Sequence, residues 1–135
     1  YILPKISDYG INSIKLIKLG LPISYFSLFL IIYFGNNAGA FLFTIYIMTS
    51  IVISLTQPAI ALNFSKNLAG KSLTSFNVFL FSGTFFVQWG IGLVIDLCNN
   101  KGFDILSSYR ISFSLFLFLC VLSYVFFIYL NKNEN

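Results

Sequence analysis

The sequence predicts an all-α, polytopic membrane protein with four transmembrane helices, and three observations carry that prediction. The chain of 135 residues is 58% apolar and 9% charged, its mean hydropathy is +0.88, and long apolar runs stand between its charged and turn-forming residues. An ordinary soluble domain carries about 25% charged residues, so lipid is the solvent this composition requires. The runs, at residues 16–34, 38–62, 72–97 and 110–130, are each long enough to cross a hydrocarbon core of about 30 Å at about 1.5 Å per helical residue. Transmembrane strands would be about half that length and would alternate in polarity. These runs do neither.

The first run, 16–34, follows a polar stretch that contains Asp8 and carries Lys15 and Lys18 at its start. No small-residue cleavage site stands before the second run, so a signal peptide is excluded and a span is expected. The second run, 38–62, opens after the turn GNNAG and is interrupted by Pro58. A proline has no N–H, so the carbonyl of Ser54 loses its helical partner; the helix should bend or loosen there. Tyr46, Ser50, Ser54 and Gln57 share one face of this run. The third run, 72–97, follows NFSKNLAGK, where Gly70 is expected in a short turn with positive φ. Within it Asn77, Phe81, Thr84 and Gln88 fall within roughly 60° of one another at about 100° per residue. The opposite face carries Phe79, Phe86, Leu93 and Leu97. The fourth run, 110–130, follows a longer connection, CNNKGFDILSSY.

Basic residues orient the weave. Lys5, Lys15, Lys18, Lys66, Lys71 and Lys132 fall on one side, and Lys101 and Arg110 on the other. By the positive-inside rule the segments 1–15, 63–71 and 131–135 are cytoplasmic, which places both termini inside. The net charge of +4 is thereby accounted for by topology, and no nucleic-acid partner is expected. The bilayer is the first partner.

Several chemistries are set aside on composition. With no His, two Cys and four carboxylates, the chain lacks the ligands for a zinc or iron site, and neither a metal nor another cofactor is expected. Cys98 and Cys120 lie at depths that differ by roughly 15 Å along their helices, so they should not form a disulfide. Gly70-Lys71-Ser72 resembles the end of a phosphate-binding loop by chance, since Ser65 stands where the earlier Gly is required. Asn63-Phe64-Ser65 fits a glycosylation acceptor but falls on the cytoplasmic side of a membrane boundary. No Lys, His or carboxylate lies at membrane depth to activate a nucleophile, so an intramembrane enzyme is not expected.

Uncharged polar groups in the second and third runs remain. An amide facing lipid would lose its water partners at a cost of several kcal/mol, so these stripes either bind neighbouring helices or line a wet cavity. Helix-to-helix polar pairs are worth about 0.6 kcal/mol on average, and Gly83, Gly90 and Gly92 would serve close packing in either case. The first and fourth runs offer only Ser, Cys and Tyr, which can satisfy themselves on local carbonyls.

The order SLTQPAIALNF, then Ala69-Gly70-Lys71, then SLTSFNVFLFSGTFFVQWGIGLVID resembles the tenth and eleventh transmembrane helices of bacterial major facilitator superfamily transporters. The resemblance implies that the four runs are about helices nine to twelve of a twelve-helix carrier, a partial bundle of that type. The chain begins with Tyr1 rather than Met and is expected to be a piece of such a protein, a secondary active transporter in the bacterial cytoplasmic membrane. ISDYGINSIK would be the cytoplasmic loop before the ninth helix, placing Asp8 there with Gly70 and Lys71 in the next cytoplasmic loop. In the family the tenth and eleventh helices line the central cavity while the ninth and twelfth pack outside. Gln57, Asn77, Thr84 and Gln88 are then the cavity candidates, with Ser50, Tyr46 and Trp89 beside them. The partners implied are the remaining helices of the carrier and a small-molecule substrate. The competing reading is a self-contained four-span scaffold or assembly protein that uses the same stripes as glue.

Overall fold

The structure, a computed structural model, describes residues 13–57 and 64–130. Helix α1 spans Ser13–Phe34 and is followed by a 3-10 turn at Gly35–Asn37; α2 spans Ala40–Ser50 and tightens into a 3-10 stretch at Ile51–Leu55. Helix α3 spans Lys66–Asn100 and α4 spans Ile105–Leu130. Among the described residues every regular element is helical.

Three segments are long and apolar enough to cross a membrane: Lys15–Asn37, Asn67–Asn100 and Ile105–Leu130. The expected second span is seen only in part, as a shorter apolar helix over Ala40–Ser54, and Pro58 with the rest of 58–62 lies outside the described residues. The loosening expected ahead of Pro58 falls at 51–55, where the α-helix has become 3-10. Hydroxyls there donate to carbonyls three residues back, Ser50 Oγ to Ile47 and Ser54 Oγ to Ile51, at 2.9 and 2.7 Å. Such back-bonds compete with the helix's own ladder and bend it.

The loop boundaries correct two expectations. Gly70 and Lys71 are not in a loop: α3 starts at Lys66 and carries both in its first turns. The carbonyl of Ser65 accepts the N–H groups of Leu68 and Ala69 at 2.8 and 2.9 Å, and the surrounding Leu, Ala and Lys are strong helix formers. One Gly costs about 1 kcal/mol against Ala in a helix, too little to break it. The positive φ instead belongs to Gly35 at +55° and Gly102 at +86°. The connection between α3 and α4 is likewise shorter than expected, four residues from Lys101 to Asp104. Phe103 N–H donates to the Cys98 carbonyl and Gly102 N–H to the Asn99 carbonyl, at 3.1 and 3.0 Å. This is a Schellman close, which needs a left-handed residue at Gly102.

Helices α1 and α2 form one hairpin and α3 and α4 another, and the hairpins meet through α1 and α4. The order across the protein is therefore α2, α1, α4, α3. The buried side chains follow it: Ile17, Leu21, Ser24, Ser27 and Leu28 on α1, and Ser108 and Ser112 on α4. By contrast, none of the apolar window of α3 is buried within the chain, and Phe79 and Phe81 are 78% and 69% exposed. Apolar surface of that extent is covered by lipid or by other protein.

Candidate functional site

The polar chemistry that joins helices lies where the sequence did not place it, on the seam between α1 and α4. Arg110, in the second turn of α4, donates from Nε to the Ile32 carbonyl at 3.1 Å and from Nη2 to the Tyr33 carbonyl at 2.9 Å. These carbonyls end α1, where the helix dipole is negative, so a cation there satisfies both hydrogen bonds and field. At the other end of the seam Tyr124 donates its hydroxyl to the Lys18 carbonyl at 2.6 Å. Its ring stands edge-on to that of Tyr25, with centroids 5.9 Å apart. The two bonds pin α4 antiparallel to α1 at both ends.

The serines of these helices behave partly as expected. Ser27 Oγ donates to Ile23 O and Ser112 Oγ to Ser108 O, both at 2.9 Å, which are local carbonyls. They are nonetheless buried between helices and do not face lipid. Ser108 is fully buried, with its Oγ 2.7 Å from Asn99 Oδ1 and 3.0 Å from the Asp104 carbonyl. It ties the end of α3 to the start of α4.

Around Arg110 the protein opens. A cleft of about 900 Å³ lies between α1, α2 and α4, lined mainly by Leu28, Ile32, Tyr46, Tyr109, Arg110 and Phe113, with Asp104 at its edge. Asp104 caps α4 by accepting the Ser107 N–H at 3.1 Å. Hydrogen bonding from the Ser107 side chain, and then from this N–H, holds its carboxyl below the usual range.

The sequence-predicted residues separate into groups. Tyr46 lines the cleft. Ser50 and Thr84 spend their hydroxyls on their own helices, Thr84 Oγ1 donating to Leu80 O at 2.9 Å. Gln57, Thr84, Gln88 and Trp89 are exposed and Asn77 is half-buried. No hydrogen bond joins the Gln57, Asn77 or Gln88 amide to another described residue. The packing does not bring the α2 and α3 residues together, since α2 lies along α1 and α3 along α4. Gly70 and Lys71 are exposed on the first turns of α3, and Asp8 lies outside the described residues. Gly83, Gly90 and Gly92 are not close-packing positions here: a methyl group built on any of them meets nothing within 4 Å. The close approach is at Gly20, where the same methyl would come 2.6 Å from Val52 Cγ2. Both cysteines are free, as the depth argument expects.

Sequence reasoning missed Arg110 and Tyr124. A usable signal existed for each: Arg110 is the one Arg in a chain whose other cations are Lys, and Pro22 sits inside the first apolar run. Compared with protein-family models, with curated proteins and with solved structures, the chain matches none.

Proposed function

We propose that this chain is the C-terminal part of a secondary active transporter that moves a small solute across the bacterial cytoplasmic membrane by alternating access, with both termini cytoplasmic. One observation carries the reading: the α3 amides are turned outward. Gln88 is exposed and Asn77 half-buried, with no hydrogen bond to another described residue, although an amide against hydrocarbon costs several kcal/mol. Glue within this chain is supplied elsewhere, by Arg110 and Tyr124 on the α1–α4 seam. The α3 stripe therefore faces something beyond the chain, and a solvated cavity closed by further helices is the arrangement that carriers use near the bilayer midplane.

The order α2, α1, α4, α3 supports the same reading. It leaves the two stripe-bearing helices at the flanks, which suits the resemblance in which helices ten and eleven line the cavity. No carboxylate lies inside the apolar stretches, the nearest being Asp96 toward the end of α3, so ion coupling would rest on the remaining helices. In the full-length protein, Gln88→Leu removes a polar group from a wet surface. Abundance in the membrane is expected to stay near normal while uptake per molecule changes. The scaffold reading predicts the reverse: a partner left unsatisfied at about 1–3 kcal/mol, lower abundance, and no further hydrophobic spans encoded ahead of Tyr1.

A further inference from the structure

Two helix irregularities lie side by side in this protein. Helix α1 contains Pro22, which has no N–H to donate to the carbonyl four residues earlier, that of Lys18. Tyr124 supplies a donor to that carbonyl from the neighbouring helix, at 2.6 Å. Helix α2 turns to 3-10 over Ile51–Leu55, and Val52 of that stretch lies against Gly20, two residues before Pro22. Ile17 and Leu21 form the buried apolar cluster between them, with Tyr25, Val52, Tyr124 and Phe127 packed against it. A proline inside a continuous helix, a 3-10 stretch and a cross-helix hydroxyl thus meet in one place.

We propose that these parts form one joint, in which the start of α1 and the 3-10 stretch of α2 pivot together about Pro22, and that the Tyr124 hydroxyl is the latch that holds the joint in the position seen here. The proline removes the bond that would stiffen α1 across residues 18–22. The 3-10 stretch can return to α geometry, which shortens five residues by about 2.5 Å, from about 2.0 to 1.5 Å each. Because no methyl group fits between Gly20 and Val52, the Val52 side chain seats directly on the α1 backbone, and the two segments move as a pair. Tyr124 is a positioning residue: it restores from outside the bond that Pro22 deletes. The inference stands on packing and does not depend on the transport reading.

Tyr124→Phe deletes the hydroxyl and keeps the ring against Tyr25. In the full-length protein in its membrane, amide hydrogen exchange should rise roughly three- to tenfold, the worth of one net hydrogen bond, over residues 15–21 and 50–55. Residues 31–34, held by Arg110, should be unchanged. In a Pro22→Ala background the helix supplies its own donor, so adding Tyr124→Phe should change exchange less than about twofold. An equal rise in both backgrounds would mean that the hydroxyl acts independently of the donor missing at Pro22, and the latch would be wrong. No rise, or a rise spread evenly over α1, would overturn the joint. Should Tyr124→Phe accumulate poorly, Pro22→Ala must restore its abundance; failure to do so ends the proposal.

Discussion

At Gly20 the absence of a side chain is required by a neighbour, and at Gly70 it is not. A methyl at position 20 would sit 2.6 Å from Val52 Cγ2 and 3.1 Å from its Cβ. Val52 is short and stiff at χ1, so the helices themselves must part. Gly20→Ala is expected to cost about 1–3 kcal/mol, the range for overpacking a close contact. Gly70→Ala meets open space on an exposed helical turn and should be neutral or stabilising by up to about 1 kcal/mol. Thermal unfolding of the two variants in the same detergent checks the ordering, and equal midpoints would refute the contact. Sequence alone could not rank these glycines, because the ranking depends on what the fold brings within 4 Å of each. The partners of Arg110 were illegible for a related reason. A charge at the end of an apolar run reads as an anchor in the headgroups, and only the crossing of α1 and α4 sets Ile32 and Tyr33 within its reach.

Helix ends were legible where a Gly/Asn turn announced them, as at Phe34, and were misread where charge was used instead. The expected run 110–130 starts at Arg110 because the residues before it are polar, yet α4 begins at Ile105, directly after a capping Asp and three residues past a left-handed Gly. The cap makes a prediction of its own. Asp104 accepts hydrogen bonds from the Ser107 side chain and from the Ser107 N–H, and these lower its carboxyl below the ordinary value. A carboxylate lowered in the folded protein contributes stability that is fully present above its unfolded value, about 3.9. That contribution is lost as pH falls through the lower folded value. Amide exchange in the first turn of α4 should therefore stay slow near neutrality and quicken on acidification below about pH 4. Asp104→Asn retains the cap oxygen without the titration and should flatten that response; an unchanged acid response in the Asn variant would show that another group is responsible. The loosening ahead of Pro58 was legible in part for a similarly local reason: a row of hydroxyls acts on carbonyls one turn back, and the 3-10 stretch at Ile51–Leu55 lies within about two turns of Pro58, itself outside the described residues.

At the scale of the molecule, the membrane class was legible because it depends on summed apolar length, which no detail of packing alters. The helix order was not, because between their charged ends α1 and α4 offer only small hydroxyls, a thiol and phenols, groups that read equally as lipid-tolerant. The remaining question is which way the chain runs. Helix α3 is 35 residues long, about 52 Å at 1.5 Å per residue, more than the hydrocarbon thickness of about 30 Å. Lys71 lies near its start and Lys101 just past its end, with no formal charge from Ser72 to Ile95. If α3 crosses, these two lysines are on opposite faces of the membrane. By the positive-inside rule the excess of lysines on the Lys71 side makes that face the proposed cytoplasmic one. In a background with Cys98 and Cys120 replaced by Ser, Lys101→Cys in intact cells should react with a membrane-impermeant thiol reagent, and Lys71→Cys should react only after the membrane is opened. The mirror pattern would keep the span and reverse the orientation. Reaction of both from the outside would mean that α3 lies along the membrane, and the multi-pass topology built on it would fail.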